Sequence, residues 1–476
     1  MFNILPIPRM AAPVGGKDAR VKLAPKYNAE GLDGGGCAAL SAFSGYAEKA
    51  FGVRFESVEE TVEGTLILSF DNSLPDGGYA LIVSPEGGIT LAAKDSEALC
   101  HGFASLLMAA EKEGGELYLP VMHIFDEPKG SYRGLMVDLA RRFHPLPWLY
   151  RAVDLCWLYK LNRLQLHFTD DQSYTLPSSA LPLLPTEGRN YTVDELKALW
   201  KYAADRGVTI VPEVDMPGHC TQFNRIYPEI FGDKGIICAE EKAFAALDSI
   251  IDEVIEIFPD APYIHLGGDE AAISRWDDCE GCRAYRESEG LPDVHALYAH
   301  FLQRVTDMVL AKGRTPIIWE GFSKEYNHLI SKDVLVIAWE SYYQLAPDLL
   351  ASGFTIINCS WKPLYVVAPR THWTPAEILN WNIFTWQHWW EKSIASKQEI
   401  HVPKDSAVLG GQVCAWGDSL GSYPTDDEAC SAEFALLRER IPALAEKTWN
   451  IFSELDADSL AARYAHTNAL LERILS

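Results

Sequence analysis

Positive charge is scarce in this chain: 41 Lys and Arg stand against 66 Asp and Glu, a formal net charge of -25 over 476 residues. A protein that tracks a phosphate backbone needs a basic surface, so the balance argues against nucleic acid as a partner, and against an anionic membrane surface with it. Long apolar runs are missing too. No stretch reaches the roughly 20 residues that a membrane-spanning helix needs. The opening "MFNILPIPRMAAPVGG" is broken by prolines where a secretion signal keeps an unbroken apolar centre. The expectation is a cytoplasmic location. Cysteine pairing is equally sparse: ten cysteines are scattered, and only Cys279 and Cys282 keep a C-x-x-C spacing, with no second close pair after them. The thiols are expected to be reduced, and the pair reads as loop packing rather than half a zinc site. No cofactor or metal is expected.

What is present is ordinary globular material, 48% hydrophobic and 11% aromatic, with ample length for a large core. Residues 1–126 are rich in Gly and in short strand-like runs, "TLILSF", "YALIVS" and "GITLAA", followed by one helical segment from Ser96 to about Lys112. This predicts a small N-terminal α/β domain with a mixed sheet. "DEPKGSYRG" punctuates the junction. Over 127–476 the rhythm changes. Eight apolar runs follow, "YRGLMVDLA", "NRLQLHF", "GVTIVPEV", "YIHLGG", "TPIIWE", "DVLVIAWE", "FTIINCS" and "AVLGGQVCAW", most of them separated by segments of helical period. Continuous apolar strands suit a parallel sheet buried on both faces, and alternation with helices predicts a (β/α)8 barrel. A helical tail from about Asp426 is expected to close it.

The ends of those strands carry the chemistry. Asp138 and Arg141 follow the first; His167, Asp170 and Asp171 the second; Glu213, Asp215 and His219 the third; Asp269 and Glu270 the fourth. Trp319 and Glu320, Trp339 and Glu340, then Asn358, Trp361 and Tyr365, and finally Gln412, Trp416 and Asp418 complete the set. Each alone reads as a helix cap or a loop residue. Together they sit where barrels of this kind build active sites. Carboxylates supply the proton that glycosidic cleavage requires, and indole stacks on the apolar face of a sugar ring. The usual scheme needs two facing carboxyls, and neighbours in an extended segment point to opposite sides. Asp269 and Glu270 are therefore not a facing pair. An opposing carboxylate can come from Asp170, Asp215 or Asp418, and spacing alone leaves that open.

"GLMVDLARRFHP", "YKLNRLQLHFTDDQSY", "VPEVDMPGH", "YIHLGGDE" and "GGQVCAWGD" occur in this order, from about Tyr132 to Asp418. Together they resemble the β-N-acetylhexosaminidases of glycoside hydrolase family 20, and the domain before them is similar to that family's N-terminal α/β domain. The resemblance implies hydrolysis of terminal β-linked GlcNAc or GalNAc from a glycan or oligosaccharide. It also implies a retaining mechanism in which the substrate's 2-acetamido group is the nucleophile, an exception to the two-carboxylate rule. By that resemblance Glu270 is the general acid and base, Asp269 holds the acetamido N–H, and Tyr365 donates to the acetamido oxygen. Arg141 binds sugar hydroxyls, and Asp170 and His219 support the acid, with Asp215 beside them. Trp319 and Trp416 wall the acetamido pocket or stack beneath the ring.

Two positions depart from the pattern. Val367 stands where many members carry an acid or amide, and Asp418 where many carry Glu. Both usually touch the far hydroxyls of the terminal sugar. With Lys362, Arg370 and His372 nearby, Val367 suggests tolerance of a 6-substituted anionic sugar such as a sulfated GlcNAc. An aromatic insertion, "RTHWTPAEILNWNIFTWQHWWEKS", either roofs the pocket or packs its tryptophans inward. The rival readings are a non-catalytic glycan-binding barrel and a metal-dependent hydrolase using His219, His265 and Asp269.

Overall fold

Strands rich in Leu, Ile and Val cannot leave either face in water, and eight of them close on themselves here. The structure is a computed structural model that describes residues 2–14, 19–369 and 373–476. The barrel strands are β1 (Tyr132–Asp138), β2 (Arg163–His167), β3 (Thr209–Glu213), β4 (Tyr263–His265), β5 (Thr315–Trp319), β6 (Leu335–Ala338), β7 (Thr355–Asn358) and β8 (Val408–Ala415). Each pairs in parallel with the next, and β8 pairs with β1 from Tyr132↔Gly410 to Val137↔Ala415, which closes the ring. Helices such as Leu146–Leu158, Val193–Ala204, Glu241–Ile257 and Val294–Ala311 cover the outside. The second of these begins with a capping box, Thr192 accepting from the Glu195 N–H and Glu195 accepting in return.

The barrel lumen is not wholly apolar. Tyr132 donates to Gln412 (3.0 Å), Gln412 to Gln165 (2.8 Å) and Gln165 to Glu213 (2.8 Å), so a satisfied polar ladder rises through the core to the strand ends. Its top rung, Glu213, lies under the cavity described below.

In the N-terminal region a seven-stranded mixed sheet runs in the order Met10–Pro13, Met122–Asp126, Tyr79–Val83, Ile89–Ala93, Leu66–Phe70, Lys26–Asn28, Glu56–Ser57. The sequence predicted a single helix here. The structure ends that helix at Ala109 and adds an earlier one, Gly34–Phe51. Three leading glycines disguise it, but Asp33 caps it by accepting the Gly36 N–H, and it buries Leu40, Phe43, Tyr46 and Ala47.

The sheet meets the barrel at a buried ion pair. Asp126 accepts from Tyr79 (2.8 Å), Lys160 (3.2 Å), the Trp449 indole (2.9 Å) and the Arg9 amide (3.0 Å). Trp449 ends the helix Asp426–Trp449, and a last helix, Ala457–Leu475, packs back towards the N-terminal region, where Lys49 donates to the Ile474 carbonyl (2.9 Å). Among the described residues no helix is long and apolar enough to cross a membrane.

Candidate active site

At the C-terminal ends of the strands lies a cavity of about 600 Å³, bordered by Arg141, Asp269, Glu270, Tyr365, Val367, Trp416, Asp418 and Ser419, with Trp339, Trp361, Trp373 and Trp389. It opens at the mouth of the barrel, where the loops that follow the strands converge.

Strand β4 stops at His265, four positions before the first acid. Gly267 and Gly268 then take φ of +65° and +93°. A Cβ on Gly267 would lie 1.7 Å from Asp215 Oδ1, so only glycine fits, and Asp215 uses that oxygen to accept the Gly268 N–H (3.1 Å). Glu270 itself has φ +46°. The two acids are separated by this left-handed turn rather than by strand alternation. Asp269 faces inward with its side chain 8% exposed, whereas that of Glu270 is 53% exposed. Among the described residues the non-glycine positions with positive φ are Lys160, His219, Glu270 and Ser341, and His219 and Glu270 face each other at the cavity. Backbone strain of this kind collects at functional sites.

His219 connects the groups around the acids. Its Nδ1 lies 3.2 Å from Asp170 Oδ1, and its Nε2 lies 3.6 Å from Glu270 and 4.0 Å from Asp269. Burial opposes an imidazolium, but Asp215, Asp170 and Glu270 together hold the His219 pKa well above the usual range. The neighbouring His219 imidazole in turn holds Glu270 below the ordinary glutamate value. Burial pushes Asp269 up to about 6, with Glu270 adding and His219 opposing. Burial and the Asp269 charge push Asp215 well up. Asp170 is buried, yet His167, His219 and Arg141 hold it far below the carboxylate range. Arg141 is clamped between Asp138 (3.0 Å) and Asp170 (2.8 Å), 3.7 Å from Asp418, with its guanidinium 4.9 Å above Trp416.

The predicted residues are thus brought together in two tiers. Arg141, Asp269, Glu270, Tyr365, Trp416 and Asp418 line the cavity, and Asp170, Asp215 and His219 stand behind them. Trp319 is fully buried beneath, its indole donating to Glu213 (2.7 Å) and its ring 5.8 Å from that of Trp416. The wall positions next to it are Trp339 and Trp361. The Tyr365 ring is stacked on both, at 4.3 Å from Trp361 and 6.0 Å from Trp339. Their strand-end placement was the only sequence signal for them. Glu320 and Glu340 have other surroundings. Glu320 accepts the N–H groups of Trp339, Glu340, Ser341 and Tyr342, and burial lifts it to about 7. Burial and the Glu320 charge lift Glu340 to about 8.

The insertion does both things the sequence allowed. Trp373 and Trp389 border the cavity, while Trp381 and Trp386 are buried, the latter donating to the Ala338 carbonyl (2.9 Å). Arg370 and His372 lie outside the described residues. A metal-dependent centre would need His265 beside His219 and Asp269. Instead His265 sits under the glycine turn, its Nδ1 accepting the Gly267 N–H (3.0 Å), and it does not line the cavity.

Comparison with known proteins agrees with this geometry. The family description "Glycosyl hydrolase family 20, catalytic domain" matches residues 131–451, and "Glycosyl hydrolase family 20, domain 2" matches residues 1–127. A "Beta-hexosaminidase" of Akkermansia muciniphila is 34% identical over 354 residues, 67% of this chain and 70% of that protein. One from Vibrio furnissii is 29% identical over 328 residues, 61% of this chain and 53% of that one. The chain therefore spans only about half the length of the second relative. Among solved structures, the β-N-acetylhexosaminidase of Bacteroides fragilis superposes with a TM-score of 0.80 at 24% identity, covering 99% of this chain and 96% of that one. An exo β-N-acetylglucosaminidase of Vibrio harveyi, in complex with N-acetylglucosamine, gives 0.82 at 22%, covering 99% and 77%. At such identities the structures speak for the fold. The match of the catalytic description over two-thirds of the sequence goes further: the chain belongs to glycosyl hydrolase family 20 and is a glycoside hydrolase.

Proposed function

We propose that this protein is an exo-acting β-N-acetylhexosaminidase that removes terminal β-linked GlcNAc or GalNAc by a retaining, substrate-assisted mechanism. One observation carries the reading: Asp269 Oδ1 is buried and has no hydrogen-bond partner among the described residues. A buried carboxylate oxygen left in that state costs about 1–3 kcal/mol, and an N–H from the ligand removes the penalty. The 2-acetamido group of an N-acetylhexosamine brings such an N–H into an indole-lined pocket. Asp170 and Asp215, two of the three carboxylates the sequence left open as an opposing nucleophile, are buried behind the wall and engaged elsewhere, and the third, Asp418, sits 3.7 Å from Arg141.

The steps follow from the groups in place. The sugar stacks within the Trp339, Trp361 and Trp416 box, with hydroxyls on Arg141 and Asp418. Tyr365 donates to the acetamido carbonyl and aims it at the anomeric carbon. That oxygen forms a bond to C1 while the C1–O glycosidic bond breaks, and Glu270 gives its proton to the departing oxygen. In the empty site the proton shared by Glu270 and His219 rests on His219. An incoming sugar strips water from Glu270, which favours its neutral form and returns the proton to it. Ionised Asp269 balances the positive oxazolinium through its N–H. Glu270 then takes a proton from water, which opens the ring at C1 and restores the original configuration.

The test is hydrolysis of an aryl β-N-acetylglucosaminide, with the product anomer read by NMR. Glu270→Gln lowers kcat on the order of 10²–10⁴-fold. Undiminished activity, or release of the inverted anomer, overturns the reading.

A 6-substituted sugar is tolerated in this scheme. Val367 forms an apolar part of the wall, and Lys362 Nζ lies 5.3 Å over the ring of Trp373 beside it. Rates on 6-sulfated and plain substrates check this, and strong preference for the plain sugar rules it out.

A further inference from the structure

The C-x-x-C pair of Cys279 and Cys282 was read from sequence as loop packing because no second pair follows it. The fold supplies a third thiol from upstream. Cys238, 41 residues before Cys279, brings its Sγ to 3.5 Å from Cys279 Sγ. Glu240, two residues further on, turns Oε1 to 3.8 Å from the same sulfur. One ligand atom from each of Cys238, Glu240, Cys279 and Cys282 lies within 4.8 Å of all the others.

From these contacts we propose that the four residues form a structural binding site for a thiophilic divalent cation, with Zn²⁺ the best fit. Three sulfurs and one carboxylate oxygen are a tetrahedral zinc donor set. Zinc–sulfur bonds of about 2.3 Å place two ligating sulfurs roughly 3.8 Å apart, so the Cys238–Cys279 separation needs only a few tenths of an ångström of adjustment. A disulfide would require the sulfurs to close to about 2.05 Å. The backbone is already arranged as in a metal knuckle: Cys279 caps the helix Glu280–Ser288 and its sulfur accepts the Cys282 N–H at 3.5 Å. Gly281 completes the arrangement, because a Cβ there would lie 2.1 Å from Glu240 Oε1. Any other residue would push the carboxylate out of the cluster.

The place of the cluster gives it a purpose. Cys238 belongs to the loop after β3 that carries His219, and the preceding residue, Ile237, donates to the Pro217 carbonyl (3.0 Å). Cys279 belongs to the loop after β4 that carries Glu270, and Trp276 on that loop donates to the Ile237 carbonyl (2.9 Å). The cation joins the two loops whose tips hold His219 and Glu270 3.6 Å apart. None of its four ligands lines the cavity, so it braces the site and takes no part in the chemistry.

The experiment uses the full chain, reduced, stripped with chelator and desalted, then titrated with Zn²⁺ against a chromophoric zinc indicator. About one zinc ion per chain is expected to be taken from the indicator. Alkylation resolved by peptide mass spectrometry should show Cys279 protected by zinc while exposed Cys37 stays reactive as an internal control. Cys238→Ser should weaken binding at least tenfold, and Glu240→Gln, which keeps all three thiols, should weaken it less at the same stoichiometry. Zinc should also raise the melting temperature of the wild type and not of Cys238→Ser. No withdrawal of zinc from the indicator, equal Cys279 alkylation with and without zinc, or a Cys238–Cys279 disulfide that forms regardless of zinc would each overturn the proposal. All of these readouts are independent of glycosidase activity.

Discussion

Two buried carboxylates, Asp126 at the domain junction and Asp269 at the cavity, live under opposite rules. Asp126 is fully enclosed and both of its oxygens are occupied, by Lys160, Tyr79, the Trp449 indole and a backbone amide. Asp269 is nearly as deeply buried, yet one oxygen has no hydrogen-bond partner among the described residues, and the Trp416 Nε1 across the same cavity is in the same condition. Burial alone therefore does not distinguish the two places. Satisfaction does. A closed network holds two parts of a molecule together, whereas an incomplete one is waiting for the atoms of something else.

The sharpest way to break this contrast is at the junction. Lys160→Met leaves Asp126 charged and unpaired, and should cost about 3–5 kcal/mol of stability in denaturant titration. Activity per folded molecule should be unchanged. A loss below about 1 kcal/mol would mean the pair is not structural. Asp269→Asn should do the reverse, lowering kcat/KM on the order of 10²–10³-fold while the chain stays folded.

The same variant sharpens the contrast through pH. The folded pKa of Asp269 is raised from 3.8 to about 6, so the folded state holds the proton more tightly than the unfolded state. Stability from this group is full below about pH 3.8 and is lost as pH rises from there through about 6, by at most about 3 kcal/mol. Asp269→Asn should accordingly melt higher than the wild type at pH 8, with the difference shrinking as pH falls towards 4. The acid limb of kcat/KM near pH 6, where Asp269 must ionise, should flatten in the variant. The smallest effect belongs to Trp389, 58% exposed on the lip. Trp389→Ala should shift stability by less than about 0.5 kcal/mol. It should raise KM for oligosaccharides about 2–10-fold through a lost stacking contact.

The barrel was readable because its strands are buried on both faces and are therefore spelled as mainly apolar runs, each carrying few polar residues. The helix Gly34–Phe51 was not, since its apolar face is hidden behind a glycine start whose cap is a single aspartate. The adjacent acids could be read from "GGDE". Which tryptophans wall the cavity could not, because a strand end does not reveal whether an indole reaches up into the mouth, as Trp339 does, or down to Glu213, as Trp319 does. Nor could the partner of the C-x-x-C pair, which lies beyond a helix and strand β4, be seen without the fold.

The indoles around the cavity carry a practical consequence. Five of the fourteen tryptophans, Trp339, Trp361, Trp373, Trp389 and Trp416, surround one opening. A sizeable share of the intrinsic fluorescence thereby arises where ligand binds, and the unlabelled chain serves as its own optical sensor. A sugar or inhibitor that displaces water from those rings should change emission directly, so affinities can be read even from variants too slow to turn over.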